Sequence, residues 1–451
     1  MSNAENEAKK GRKADEEENA DRISNLPDSV LSHILSFVPS KTAVTTSLLS
    51  PRWRYIWKEH LSVLDFSDEF FQPNDDRLKL FETLFLFVSS FFLIRRPNEL
   101  RKVRLSCTQS LVDHKFCNYN VNGWVRSIVG PHLKELDLTL YSHDGYFFEP
   151  PFSLTACINL VSLSLNGAIY FNLTRAKAIR IPSLKKLRVD TTSYVEVSPM
   201  NALLSGCPNL ETLDLCFSAE GYGGIICVPP SLKWLKIIIN NSDAGASLEI
   251  DVPVLEYLCI ANITFTDTSN LQNVMEASLD VFPSSSASTF TLLKLLGALS
   301  GIKHLVLSHS TTKWLLCGPA DLHFPEFRHL LHLELILPWF DSNFLLSLLQ
   351  TCHLLQVLII QNDKDQSPLP VWATQPSVPS CLVSHLAFIQ LKGYRGFPDE
   401  LSFAEYVLQE GLVLKTVIIV GISVDPKKKF DTLRRLSNVP KASAMCQLTF
   451  D

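Results

Sequence analysis

LKELDL at 133–138, LVSLSL at 160–165, LKKLRV at 184–189, LETLDL at 210–215, LKWLKI at 232–237 and LEYLCI at 255–260 repeat one pattern, with apolar residues at the first, fourth and sixth places of a hexamer. Successive first positions lie 27, 24, 26, 22 and 23 residues apart. Neighbouring side chains of a strand point to opposite faces, so the fourth and sixth residues share one face and the fifth takes the other. The first apolar residue turns the chain into the strand from the inside. One such unit exposes its apolar face, and stacked units bury it on each other.

Earlier and later copies extend the array. Leu100/Val103/Leu105 precedes it, and Ile302/Leu305/Leu307, Leu330/Leu333/Leu335, Leu355/Leu358/Ile360 and Leu414/Val417/Ile419 follow, with a weak copy at 274–279. A step of about 20–29 residues is that of leucine-rich repeats. Between strands, NALLSGC (201–207), LLKLLGAL (292–299) and NFLLSLLQTC (343–352) carry helical apolar spacing. The expected fold is therefore α/β: a solenoid with a parallel sheet on its concave face and helices on its convex side. Long loops at 240–247, 283–289 and 361–380 make it irregular, and most copies lack the asparagine that often follows the strand.

Before the array, residues 1–20 are charged and free of aromatics, the composition of a disordered tail. Lys9, Lys10, Arg12 and Lys13 form a basic run of the kind that serves nuclear import. Residues 21–57, DRISNLPDSVLSHILSFVPSKTAVTTSLLSPRWRYIW, read as three short helices. Pro27 and Asp28 suit a first helical turn, Val30, Leu31, Ile34, Leu35 and Val38 form one stripe, and Pro39 ends it. Ala43, Val44, Leu48 and Leu49 mark the second helix. Ser50-Pro51 starts a third, with Trp53, Ile56 and Trp57. So small a unit cannot bury these side chains by itself and must pack on the rest of the chain or on a partner. At the other end, residues 380–451 mix strand-like runs (386–391, 414–420, 446–450) with amphipathic helices and read as an α+β cap.

Composition limits the alternatives. The 451 residues carry 41 Lys+Arg against 46 Asp+Glu, a net charge of −5, with no global pull toward nucleic acid or an anionic membrane. The stretch 78–94 is short for a membrane span and contains Lys79 and Glu82, so it reads as a core helix. The N-terminus lacks a secretory apolar segment, and the 11 cysteines include no C-x-x-C pair, so a reducing nuclear or cytoplasmic compartment is expected. Phosphate-loop, nucleophile-elbow and H-E-x-x-H motifs are absent. His329 and His332 lie three apart without a third ligand. No catalytic residue, cofactor or metal is expected.

The order Leu26-Pro27, VLSHIL, VPSK and SLLSPRWRYIW resembles an F-box. With irregular leucine-rich repeats behind it and the ending SNVPKASAMCQLTFD, residues 21–451 are similar to the plant F-box/FBD/leucine-rich-repeat family. The resemblance implies a tail (1–20), an F-box (21–60), repeats (61–379) and an FBD-like cap (380–451). It further implies a non-catalytic substrate receptor of an SCF-type ubiquitin ligase, binding a Skp-type adaptor, and through it cullin, while the repeats bind an unidentified target protein.

Carried over by position, the adaptor contacts are Leu26, Pro27, Leu31, Ile34, Leu35, Val38, Pro39, Leu49 and Trp53, some of them internal to the helical unit. Thr42 replaces a usual acidic residue and Pro51 a usual basic one, which bears on adaptor affinity. The candidate target surface is the outward set Lys134, Glu135, Asp137, Glu211, Asp214, Lys233, Trp234, Lys236, Glu256 and Tyr257. Its mixed sign suits a protein better than a single anionic metabolite. An interaction scaffold with no part in ubiquitin ligation would share the repeats and differ only in lacking the adaptor.

Overall fold

The computed structural model describes residues 23, 25–71, 76–94, 99–112, 121–142, 147–149, 157–170, 180–220, 224–241, 246–269, 271–283, 289–319, 322–363, 377–421 and 426–450. The expected disordered tail lies outside them. Two compact units divide the chain after Leu160.

The first unit opens with α1 (Asp28–Leu35), α2 (Ser40–Thr45), a 3-10 turn (Thr46–Leu48) and α3 (Pro51–Glu59). Pro27 stands just before α1, with ψ 150°, and its carbonyl accepts from the N–H groups of Val30 and Leu31. Ser50 is extended and Pro51 opens α3, but the Ser50 hydroxyl makes no capping bond. Next come β1 (Val63–Ser67), α4 (Arg77–Ile94), β2 (Lys102–Val112), α5 (Asn122–Ile128) and β3 (Glu135–Ser142). Strands β1, β2 and β3 are parallel, with Asp65, Arg104 and Asp137 in register. Strand β1 is a repeat in its own right: LSVLDF (61–66) is a hexamer of the same pattern with phenylalanine in sixth place. Phe66 packs edge-on against Phe91 and Phe92 of α4, at 5.2 and 5.7 Å between centroids. The long apolar stretch is thus the core helix of the first repeat. Among the described residues no helix is long and apolar enough to cross a membrane.

The second unit continues with β4 (Ser162–Gly167), β5 (Lys186–Glu196), α6 (Val197–Ser205), β6 (Thr212–Glu220), β7 (Gly224–Cys227), β8 (Trp234–Ile239), β9 (Ala246–Asp251), β10 (Tyr257–Ser269) and β11 (Glu276–Val281). The rest alternates helix and strand: α7 (Thr289–Ala298), β12 (His304–Leu307), α8 (His309–Leu316), β13 (His332–Leu337), α9 (Ser342–Gln350), β14 (Val357–Asn362), α10 (Ser380–Ser384), β15 (Phe388–Lys392), α11 (Pro398–Glu410), β16 (Thr416–Val420), α12 (Pro426–Ser437) and β17 (Gln447–Phe450). The main parallel sheet runs β4, β5, β6, β8, β10, β11 and then β12 to β17. The copy at 274–279 that looks weak in sequence is the regular strand β11. The C-terminal segment keeps its strands in the same register.

Helices α6, α7 and α9 form where helical spacing was read, on the side away from the open sheet face. Between residues 224 and 269 that side is built from strands instead: β7 pairs with β9, and β9 with the second half of β10. The alternation of buried and outward residues in ASLEID, period two, fits a strand there. Strand β10 serves both sheets through a bulge at Asn262, which takes φ 56°, a left-handed value asparagine tolerates.

The repeats are fastened at their lead-in turns. Asn159, Asn209 and Asn273, each just before the first apolar residue of its hexamer, donate side-chain N–H to the carbonyls of Pro131, Pro182 and Pro253 in the preceding copy, at 2.7, 2.9 and 2.6 Å. First, fourth and sixth hexamer residues, such as Leu210, Leu213 and Leu215, are fully buried.

Two buried carboxylates organise the C-terminal repeats. Asp399 accepts from the Ser342 N–H at 2.9 Å and the Ser342 hydroxyl at 2.5 Å, so the first turn of α11 caps the start of α9. Glu400 accepts from the Asn362 amide at 2.7 Å and from the N–H groups of Arg395 (2.9 Å) and Phe397 (3.1 Å). Gly393, at φ +69°, makes room for this: a Cβ there would stand 2.3 Å from the Asn362 carbonyl oxygen.

Candidate functional site

The helical unit has two apolar faces. The inner one holds Leu31, Leu35, Ala43, Trp53, Ile56 and Trp57, with Trp57 against Phe91 at 5.3 Å and its indole N–H donating to Ser47. This face is moored to the first repeat: buried Ser40 accepts from the Asp65 N–H at 2.9 Å, and Lys41 donates to the Phe70 carbonyl while lying over the Phe71 ring. Within the unit, Arg52 binds Asp28 at 2.6 Å and also donates to the Leu26 carbonyl, clamping α3 to the start of α1.

The outer side carries exposed apolar side chains, with the Phe37 ring edge-on to His33 at 4.9 Å. Phe37 is 77% exposed, Leu48 90% and Leu49 70%, and Val30 and Ile34 of α1 are exposed too. Of the nine residues inferred from the resemblance, Leu31, Leu35 and Trp53 are buried in the unit. Leu26, Val38 and Pro39 are partly covered, and Pro27, Ile34 and Leu49 face outward. Phe37 and Leu48, exposed as well, are not among the nine.

On the open sheet face, the expected outward residues are outward. Lys134, Glu135 and Asp137 belong to the first unit and the other seven to the second. Glu135 pairs with Lys102 at 2.8 Å. Arg104 is shared among Asp65, Glu69 and Asp137 at 3.7–3.8 Å, and burial raises the Asp65 pKa despite that guanidinium. In the second unit Glu211 bridges Lys185 (2.8 Å) and Lys233 (3.6 Å), and the hydrogen bond from Lys185 leads in lowering its pKa. Asp214 sits between Arg188 (3.8 Å) and Lys236 (3.5 Å). Trp234 and Tyr257 stack at 3.5 Å and 7°; burial pushes the Tyr257 hydroxyl up to about 12. Glu256 is exposed.

His332 lies against His304 of the next strand at 4.1 Å rather than converging with His329. No group of three or more metal-ligating side chains occurs among the described residues, and every described cysteine is a free thiol.

Three family descriptions match this architecture in order: F-box domain at residues 23–63, FBD-associated F-box protein At5g56370, LRR repeats, at 121–300, and FBD at 375–419. Among curated proteins of Arabidopsis thaliana, the F-box/FBD/LRR-repeat protein At3g52680 is 30% identical over 457 residues, 95% of this chain and 93% of that protein. The chain belongs to the F-box/FBD/LRR-repeat family. The F-box/FBD/LRR-repeat protein At4g26340 is 29% identical over 442 residues, covering 96% of this chain and all of that one. A putative FBD-associated F-box protein, At5g56820, is 30% identical over 449 residues, covering 95% and 94%. In this F-box/FBD/LRR-repeat protein the F-box match covers α1 to α3 and ends at Val63, where β1 begins.

Proposed function

We propose that this protein is a substrate-recognition subunit of an SCF-type ubiquitin ligase, with no catalytic site of its own. The F-box docks on a Skp-type adaptor and through it on cullin, and the repeats hold a target protein. The observation that carries this reading is the outer F-box face. Ile34, Phe37, Leu48 and Leu49 stay exposed on a unit whose other face is fully used, and a few apolar and aromatic anchors of this kind supply most of the energy of a protein interface. Held on the ligase, the target's lysines meet a ubiquitin-charged enzyme at raised effective concentration.

The test is a pull-down of the full chain with a plant Skp-type adaptor, beside the double variant Ile34→Asp, Leu49→Asp. Both positions are exposed, so the variant should melt with the wild type while adaptor binding falls at least about thirtyfold. Equal binding by both proteins, or none by the wild type, refutes the assignment.

A further inference from the structure

The parallel register aligns Lys186, Thr212, Trp234, Tyr257 and Glu276 in one row across β5, β6, β8, β10 and β11. Tyr257 stacks on Trp234 from the adjacent strand, 3.5 Å away and 7° from parallel, so both rings stand with their planes across the row. One indole face is covered by the phenol. The opposite face looks along the row over Thr212 toward Lys186, and Trp234 remains 41% exposed. Strands lie about 4.8 Å apart, so Lys186 and Trp234 are separated by about 10 Å at the backbone, with a short threonine between them. That leaves a notch wide enough for one more ring at the spacing the tryptophan and tyrosine already show.

Charge around the notch is lopsided. Lys185, Lys186, Arg188, Lys233 and Lys236 stand against Asp190, Glu211 and Asp214. The three acids are each engaged by a cation, Asp190 by Arg188 at 3.8 Å, and Glu211 and Asp214 by the pairs given above. Lys186 is exposed and makes no ion pair among the described residues. The acids Glu256 and Glu276 lie on the far side, with the phenol. An occupant is thus offered a bare aromatic face on one side and an uncompensated ammonium on the other.

We infer that the notch between Trp234 and Lys186 is the aromatic-reading subsite for the target: a phenylalanine or tyrosine side chain stacks on the open indole face, and an adjacent Asp or Glu of the target pairs with Lys186. This deepens the reading of the repeats as the target-binding surface and is independent of the adaptor, which docks on the other unit. Aromatic pairing and a surface ion pair each contribute modestly, so the subsite is one specificity element of a larger interface.

The test uses random peptides displayed on phage, selected on the full chain and on Trp234→Ala, Thr212→Phe and Lys186→Glu. Thr212→Phe fills the notch with its own ring and leaves the tryptophan in place. All three positions are at least partly exposed, and unchanged melting temperatures verify folding. The wild type should enrich peptides carrying an aromatic residue within two positions of Asp or Glu. Synthetic versions of those peptides should bind each variant about fivefold more weakly, while every variant still binds the adaptor as the wild type does. No enrichment, enrichment without the aromatic–acid pair, or affinity unchanged in Trp234→Ala and Thr212→Phe overturns the inference. Loss of adaptor binding by the wild type alone would instead strike the ligase assignment and leave the subsite standing.

Discussion

Replacing Asp399 by alanine removes a cap that one helix places on another. Asp399 is 4% exposed, and Ser342, whose N–H and hydroxyl it accepts, is fully buried. Hydrogen bonds to a charged group contribute about 1.5–3 kcal/mol each, and donors left buried without a partner cost about as much. Part of this is offset, because burial raises the Asp399 pKa more than the two Ser342 bonds lower it, and deleting the carboxylate relieves that desolvation. The net loss should be about 3 kcal/mol, a fall in melting temperature of about 6–12 °C for a domain this large.

Thermal and urea unfolding of Asp399→Ala, Ser342→Ala and the double variant provide the assay. The pair should couple by about 1–2 kcal/mol. Melting of Asp399→Ala within about 1 °C of the wild type, or strict additivity in the cycle, would refute the claim that this bond joins α11 to α9.

Further expectations concern the same region and the F-box. Burial raises the pKa of both Asp399 and Glu400 in the fold. Such groups stabilise the fold fully below their unfolded pKa, near 4, and lose that contribution as pH rises through the folded value. Asp399→Asn with Glu400→Gln should therefore flatten the decline of stability above about pH 4, measured by urea midpoints across pH. Gly393→Ala forces a Cβ toward the Asn362 carbonyl at positive φ and should cost more than about 1 kcal/mol by the same denaturant titration. Cys352→Ser puts a more polar group at a fully buried site, where burial pushes the thiol up to about 12. It should lower stability by about 1 kcal/mol and leave adaptor pull-down unchanged. In the F-box, Leu31→Ala should cost about 2–4 kcal/mol in unfolding experiments and Leu48→Ala under about 0.5, since only the first is buried.

The repeat array was legible because its signal is periodic. Strand β1 escaped because phenylalanine stands where leucine usually does, and the strands β7 and β9 because segments of four to six residues are too short for their period to stand out. The F-box stripe was legible as helix, but periodicity cannot say which apolar residues meet the chain's own first repeat and which stay bare. Leu31 and Leu49 looked alike and are opposites. Asp399 and Glu400 gave no local sign of their role, since Ser342 and Asn362 lie 57 and 38 residues away. The Trp234–Tyr257 stack was visible as two outward residues, yet their ring contact depends on the pairing of β8 with β10, which spacing alone does not fix.

The asparagine ladder bears on how such a chain changes over generations. Each rung joins a copy only to the copy before it, through a residue adjacent to the hexamer and a proline carbonyl two places before the previous one. Deleting a copy that supplies the proline breaks one rung and leaves the others intact. A single inserted residue between asparagine and leucine would break one rung, whereas the same insertion in a return segment breaks none. The steps of 22 to 27 residues differ in length while the hexamers do not, so the variation sits in the returns. A return segment can therefore change length without moving the seat of the strand that follows, so long as the asparagine stays next to its hexamer.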